Sequence, residues 1–185
     1  MKYLLKIFKF CVPIILICIG GLAILSLSMG HDMYQGLSDE DKMLYSFINK
    51  QGKVLGEKYH MKQCGNGLSG MDKLEHISLC FDQEGDPLTE KEARKLIIHC
   101  IDDFLKAINS NEKLKPLLKE YPFTPKNLEL TIFSYDKDRA LYYFPSIAVV
   151  SDSSGEIGFM TKIESVKYGY HTEKYETYEE AKASL

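Results

Sequence analysis

One cysteine of this sequence, Cys64, lies where a thiol nucleophile could work. It follows His60 by four residues and opens a glycine-rich stretch that ends at Gly70. A catalytic cysteine needs a nearby base that favours the thiolate and a partly exposed position. Cys64 with His60 is therefore the candidate pair for a thiol-dependent enzyme, although loop cysteines beside glycine are more often disulfide-bonded. The sequence nominates no other catalytic residue.

Histidine and cysteine also occur close together at three places, which raises the question of a metal site. The pairs are His60 with Cys64, His76 with Cys80, and His99 with Cys100. In a strand, residues four apart lie roughly 13 Å from each other, so His76 and Cys80 cannot bind one ion. Adjacent residues on a helix point about 100° apart, so His99 and Cys100 diverge. We therefore expect no metal and no cofactor.

The glycines at 65, 67 and 70 reproduce the spacing of a dinucleotide-binding turn. That turn must follow a strand and open a helix, because the helix N–H groups receive the pyrophosphate. Here the glycines follow a predicted helix and precede a predicted strand. The sequence also contains no Gly-Lys-Ser or Gly-Lys-Thr, so we expect no nucleotide.

Tyrosine is concentrated in the last third of the chain, which is mainly a β region. The residues are Tyr135, Tyr142, Tyr143, Tyr168, Tyr170, Tyr175 and Tyr178. Tyrosine is enriched both in strands and at protein interfaces. The pattern predicts strand packing first, and a face for a protein partner second.

Local signals predict where the helices begin. Ser38, followed three residues later by an aspartate, predicts the start of a helix over about 39–60. Thr89 and Glu92 form a capping-box pattern before an amphipathic segment that runs to Ile108. Further helices are predicted over about 111–120, after Asn111, and at the C-terminus, after Thr177.

Alternating apolar residues predict the strands. Ile77, Leu79 and Phe81 define one strand, and residues 128–133, 147–151 and 157–163 define three more. Residues 166–170 are a possible further strand, and Asp152 to Gly155 is a four-residue hairpin loop. The class is therefore α+β, with an antiparallel sheet of about four to five strands packed by two to three helices.

Cys64, Cys80 and Cys100 are the three cysteines that follow residue 30, and they allow at most one disulfide bond between them. Cys80 is predicted on the polar face of its strand, and Cys100 on the helix face that covers the sheet's apolar side. A bond between these two is not expected, since bonded cysteines need Cα atoms within about 7 Å. We expect Cys100 to be buried and reduced, and the mobile Cys64 to be the thiol that reacts first.

Residues 10–30 form an uncharged apolar run, which determines on which side of a membrane the rest of the chain is predicted to lie. It is long enough for a transmembrane helix, and Lys2, Lys6 and Lys9 precede it. Positive residues stay in the cytoplasm, so the domain that follows is predicted outside it. The division is a cytoplasmic basic tail (1–9), a signal-anchor helix in the bilayer (10–30), a linker (31–37) and one extracytoplasmic domain (38–185). A cleaved signal peptide is the alternative, and it would release the same domain in secreted form.

The charge of the exported part excludes one class of partner. Of the 23 basic residues, 20 follow the three N-terminal lysines, against 26 acidic residues, which gives a net charge of −6. Such a domain is not expected to bind nucleic acid. The function that remains is a membrane-anchored domain with a binding or structural role, and the alternative is the thiol enzyme of Cys64 and His60.

Overall fold

Three α-helices and six strands make up the described part of the chain. The computed structural model describes residues 36–163 and 169–185. The helices are α1 (Asp39–Tyr59), α2 (Glu90–Asn109) and α3 (Tyr178–Ala183), with short 3-10 helices at Lys115–Leu117 and Pro125–Asn127. The strands are β1 (Met61–Ser69), β2 (His76–Glu84), β3 (Leu128–Tyr135), β4 (Val149–Ser153), β5 (Glu156–Thr161) and β6 (His171–Thr177). The α+β class is confirmed.

The helix starts lie where their local signals put them. The Ser38 hydroxyl accepts a hydrogen bond from the Asp41 N–H at 3.0 Å, ahead of α1. Full capping boxes start α2, at Thr89 with Glu92, and α3, at Thr177 with Glu180. Each side chain satisfies a backbone N–H that the first helical turn leaves without a partner.

The six strands form one sheet in the order of the sequence, β1 to β6. Neighbouring strands are antiparallel except β2 and β3, which run parallel, so the sheet is mixed. The prediction of an antiparallel sheet was wrong at this pair. A crossover through a helix returns the chain to the same end of the sheet, and α2 lies in the connection between β2 and β3.

Two segments predicted as loops belong to strands. The glycine-rich stretch forms most of β1, because its backbone pairs with β2 along nearly its whole length. Asp152 and its neighbour Ser153 end β4, so the hairpin loop contains two residues, Ser154 and Gly155. Both loop residues have positive φ, at 55° and 88°, as the type I′ turn of a two-residue hairpin requires.

Two other segments also differ from their predictions. Residues 111–120 contain only a 3-10 helix at Lys115–Leu117 instead of a longer helix. Pro116 lies inside it, and proline supplies no N–H for an α-helical ladder. Most of the possible strand at 166–170 lies outside the described residues, and β6 begins at His171.

The core lies within residues 43–185, which form one compact unit. The apolar sides of α1 and α2 and one face of the sheet build it. Ile101 and Phe104 are fully buried on α2, and the Phe104 ring meets Phe47 of α1 edge-on at 6.1 Å between centroids. Cys100 is a buried free thiol on the same helix, as predicted.

No helix among residues 36–163 and 169–185 is both long enough and apolar enough to cross a membrane. The segment for which the sequence predicts a span, residues 10–30, lies outside the described residues.

Candidate binding surface on the sheet

The strand register gives the sheet two different faces. Leu79, Leu130, Asp152 and Ile157 lie opposite one another on four consecutive strands, and they belong to the face that the helices cover. The residues between them point to the other side. We call that side the open face. Its first row is Ser78, Glu129, Ser153 and Glu156, and its second row is Cys80, Thr131, Ser151, Gly158 and Tyr175.

A shallow hollow of about 310 Å³ opens on this face over strands β1 to β3. It is lined by Asn66, Gly67, Ser78, Leu79, Cys80, Glu129, Thr131 and Phe133. The Ser78 hydroxyl donates a hydrogen bond to the Glu129 carboxylate at 2.8 Å, which holds both side chains over the hollow. The hollow therefore combines a carboxylate, two hydroxyls and an aromatic ring.

The candidate nucleophile of the sequence, Cys64, is bonded to Cys80 in a disulfide with Cα atoms 5.4 Å apart. The register between β1 and β2 shifts between Gln63 and Gly65, so Cys64 lies in a β-bulge opposite the strand that contains Cys80. His60 is exposed at the end of α1, with φ of 55°. A disulfide sulfur is not a thiolate, so in this state the Cys64 and His60 pair has no nucleophile.

The other expectations for the thiols have mixed outcomes. The prediction that Cys64 is the thiol that reacts first was wrong, because its sulfur is bonded to Cys80. Cys80 and Cys100 are not joined to each other, as predicted. Burial raises the pKa of the Cys100 thiol far above its ordinary value, so this side chain stays protonated.

Two exposed carboxylates lie on the open face. Glu129 and Glu156 are both exposed and lie in the first row, on either side of Ser153. In the part of the chain that the structure describes, neither forms an ion pair. This end of the open face therefore presents uncompensated negative charge.

Aromatic side chains occupy the other end of the open face. The rings of Phe133 and Tyr135 lie 6.3 Å apart, and the Arg139 guanidinium lies 5.0 Å from the Tyr135 ring centre. Burial is the main cause that raises the pKa of Tyr170, and the charge of the nearby Tyr135 hydroxyl raises it further. The Tyr175 ring covers Gly158, where a Cβ would lie 3.0 Å from its edge.

Much of this aromatic surface is open to solvent. Of the open-face rings just described, Tyr170 is 40% and Tyr175 is 61% exposed; Tyr143 and Phe144, in the segment before β4, are 47% and 62% exposed. Exposed aromatic rings are common where proteins bind other proteins, since they supply large contact areas at a small entropic cost.

Not every tyrosine of the predicted β region belongs to this surface. Tyr178 is buried on α3, and its hydroxyl donates to Asp102. The Tyr142 hydroxyl donates to the backbone carbonyl of Gly85. Tyr168 lies outside the described residues. The tyrosine-rich stretch therefore divides into packing residues and exposed ones.

No group of three or more His, Cys, Asp and Glu side chains in the described ranges is arranged to hold a metal ion. Comparison with protein families, curated proteins and solved structures finds no match for this chain.

Sequence reasoning missed the residues that line the hollow, although a signal for some of them was present. The alternation in β3 puts Glu129, Thr131 and Phe133 on the side opposite the apolar residues. Their neighbours on β2 are about 50 positions away in the sequence, and no local pattern reveals that pairing. The burial of Asp152 was also missed, because the residue was assigned to a hairpin loop.

Proposed function

We propose that residues 10–30 anchor this protein in a membrane and that residues 38–185 lie outside the cytoplasm. In this proposal the open face of the sheet binds a protein partner. The observation that carries the proposal is that one end of the open face exposes aromatic side chains and the other carries Glu129 and Glu156, which form no ion pair with any described residue. The function proposed is recognition, without catalysis.

Two independent features support the location. Lys2, Lys6 and Lys9 precede the apolar run, which favours a cytoplasmic N-terminus. The bond between Cys64 and Cys80 supports an oxidising compartment, because the cytosol keeps most thiols reduced. Either feature alone is weaker than the two together, since they come from different parts of the chain.

The chemistry of the open face limits the kind of partner. The aromatic end favours a surface with apolar side chains. Glu129 and Glu156 favour basic side chains at the other end, since a carboxylate without a cation nearby attracts one. We therefore propose a partner surface in which apolar residues adjoin lysine or arginine.

The thiol enzyme is not proposed as a second function. Its nucleophile would be Cys64, and the disulfide removes that thiol. No specific observation on the described residues favours catalysis over binding.

Site-directed photocrosslinking in the full-length, membrane-inserted protein tests this proposal. A benzoylphenylalanine would replace Tyr175 or Thr131 on the open face, and Lys91 or Lys95 on the exposed side of α2. We expect a discrete adduct of the same mass from both open-face positions and none from the helix positions. Adducts formed equally from both faces, or from α2 alone, would contradict the proposal.

A pair of charge variants makes the crosslinking test specific. Glu129→Gln with Glu156→Gln removes the uncompensated charge of the open face. Glu112→Gln with Glu179→Gln removes the same net charge from exposed positions on other elements. The first pair should reduce the adduct yield at Tyr175 and the second should leave it unchanged. An equal loss from both pairs would indicate attraction to net charge only.

A further inference from the structure

The carboxyl group of Asp152 is buried without a hydrogen-bond partner. The residue is 1% exposed, and neither carboxylate oxygen forms a hydrogen bond of good geometry with any described residue. On the sheet it lies between Leu130 and Ile157, on the face that the helices cover. An ionised carboxylate in such a position is strongly unfavourable, whereas the protonated form is tolerated.

The hairpin turn next to Asp152 also holds the C-terminal helix. The backbone N–H of Gly155 is near enough to the Asp152 carboxyl to favour its ionised form, against the larger effect of burial. The carbonyl of the same Gly155 accepts a hydrogen bond from the Tyr178 N–H, the first residue of α3, at 2.9 Å. Asp152 therefore lies three residues before the Gly155 carbonyl that holds α3, within the same hairpin, so that loosening of the hairpin would reach this hydrogen bond.

The charged and titratable groups of the surrounding elements leave Asp152 without compensation. On α2, Arg94 is paired with Glu176 of β6, and Cys100 is a neutral thiol. On α3, Tyr178 and Lys182 form hydrogen bonds with Asp102, and Glu180 forms one with Thr177. Glu179 forms no ion pair with any described residue. Lys126, Glu129 and Glu156 lie on the neighbouring elements of the hairpin, and none of them forms an ion pair with Asp152. The charge of Glu129 disfavours the ionised form further.

We propose that Asp152 is a proton-controlled latch: its protonated form keeps the β4–β5 hairpin and α3 packed on the sheet, and its ionisation loosens both. The device is independent of the proposed binding function, because Asp152 lies on the opposite face from the open surface. It would make the C-terminal part of the domain more firmly packed in acid than at neutral pH.

The pH range follows from two pKa values. Burial raises the pKa of Asp152 to about 7, against an ordinary value of 3.8, with Gly155 opposing the rise and Glu129 adding to it. Between these values the folded protein binds more protons than the unfolded chain does. The free energy of unfolding therefore falls as pH rises through this range, and it levels off above about pH 7.

Hydrogen exchange on the full-length protein tests the latch. After correction for the intrinsic pH dependence of exchange, we expect protection in residues 153–161 and 178–183 to fall at least about tenfold between pH 5 and pH 8.5. In Asp152→Asn, the same segments should show equal protection at both pH values. Equal protection in the wild type, or a fall that persists in Asp152→Asn, would overturn the proposal.

A measurement on the unmutated protein covers the case in which Asp152→Asn does not fold. The carboxyl ¹³C resonance of Asp152 should titrate with a midpoint near 7. Glu129→Gln should lower the Asp152 midpoint. A midpoint near 4 for Asp152 would refute the latch.

Discussion

At Gly56 the first helix approaches the strand that follows it so closely that no side chain fits. A Cβ at this position would lie 2.7 Å from the backbone carbonyl oxygen of Met61. The backbone of β1 cannot yield as a flexible side chain could, because β1 is held along its length by pairing with β2. The glycine therefore fixes how α1 and β1 pack.

We expect Gly56→Ala to destabilise the protein even though alanine favours helices. Helix propensity alone would stabilise the variant by about 1 kcal/mol. The overlap with Met61 should outweigh this, so that the free energy of unfolding in urea falls by about 1–3 kcal/mol. Lys53→Ala, on the exposed side of the same helix, should change it by less than about 0.5 kcal/mol. A Gly56→Ala protein at least as stable as wild type would contradict the close approach.

At the scale of elements, one buried ion pair joins α2 to the edge strand β6. The Arg94 Nε donates to Glu176 Oε1 at 2.5 Å, and Lys174 Nζ lies 3.0 Å from the other oxygen. Burial works to raise the pKa of Glu176, but the hydrogen bonds from Arg94 and Lys174 outweigh it and lower the pKa below 4.5. The stabilisation from this pair is therefore present above pH 4.5 and is lost as the pH falls.

Removing one member of this pair should cost more than removing both. Arg94→Met leaves the Glu176 carboxylate buried with only Lys174 as partner, and the expected loss at pH 7 is about 3–5 kcal/mol. Arg94→Met with Glu176→Gln should recover part of that loss, because no buried charge remains. Urea denaturation of the complete cycle at pH 7 and pH 3 measures the coupling, which should shrink in acid. Additive effects at pH 7 would show that the contact stabilises nothing.

Local signals in the sequence were sufficient for α1, α2 and α3, although not for the helix predicted over 111–120, and they did not reveal the pairing of the strands. A cap such as Thr89 with Glu92 involves residues three apart, so the sequence shows both partners together. The parallel pairing of Ser78 with Glu129 joins residues 51 apart, and α2 lies in the connection between them. Nothing in either strand indicates which partner it takes. The sequence shows that each residue in the first row of the open face is polar. It does not show that these residues lie side by side on that face.

Cys64 shows the same limitation for the candidate site. The glycines around it predicted a loop, since glycine weakens regular structure. Pairing with β2 over eight register positions and the bond to Cys80 outweigh that preference. The sequence shows that Cys64 lies four residues from His60, but it does not show that Cys80 forms a disulfide with Cys64.

At the scale of the whole molecule, one feature of the sequence and one feature of the structure support the same location. The apolar run at residues 10–30 predicts an anchor, and the disulfide on the open face supports an oxidising environment for the domain. A domain facing that environment would present its aromatic residues and carboxylates to partners outside the cytoplasm. The binding proposal depends on this location.

The state of Cys64, Cys80 and Cys100 in the membrane-inserted full-length protein tests the location most directly. Free thiols would be alkylated before cell lysis, and the protein would then be digested without reduction and mapped by mass spectrometry. The account predicts one peptide pair joined through Cys64 and Cys80, with Cys100 alkylated only after unfolding, and Cys100→Ser should leave the joined pair unchanged. Recovery of Cys64 and Cys80 as alkylated, unjoined thiols from the folded protein would contradict an oxidising location.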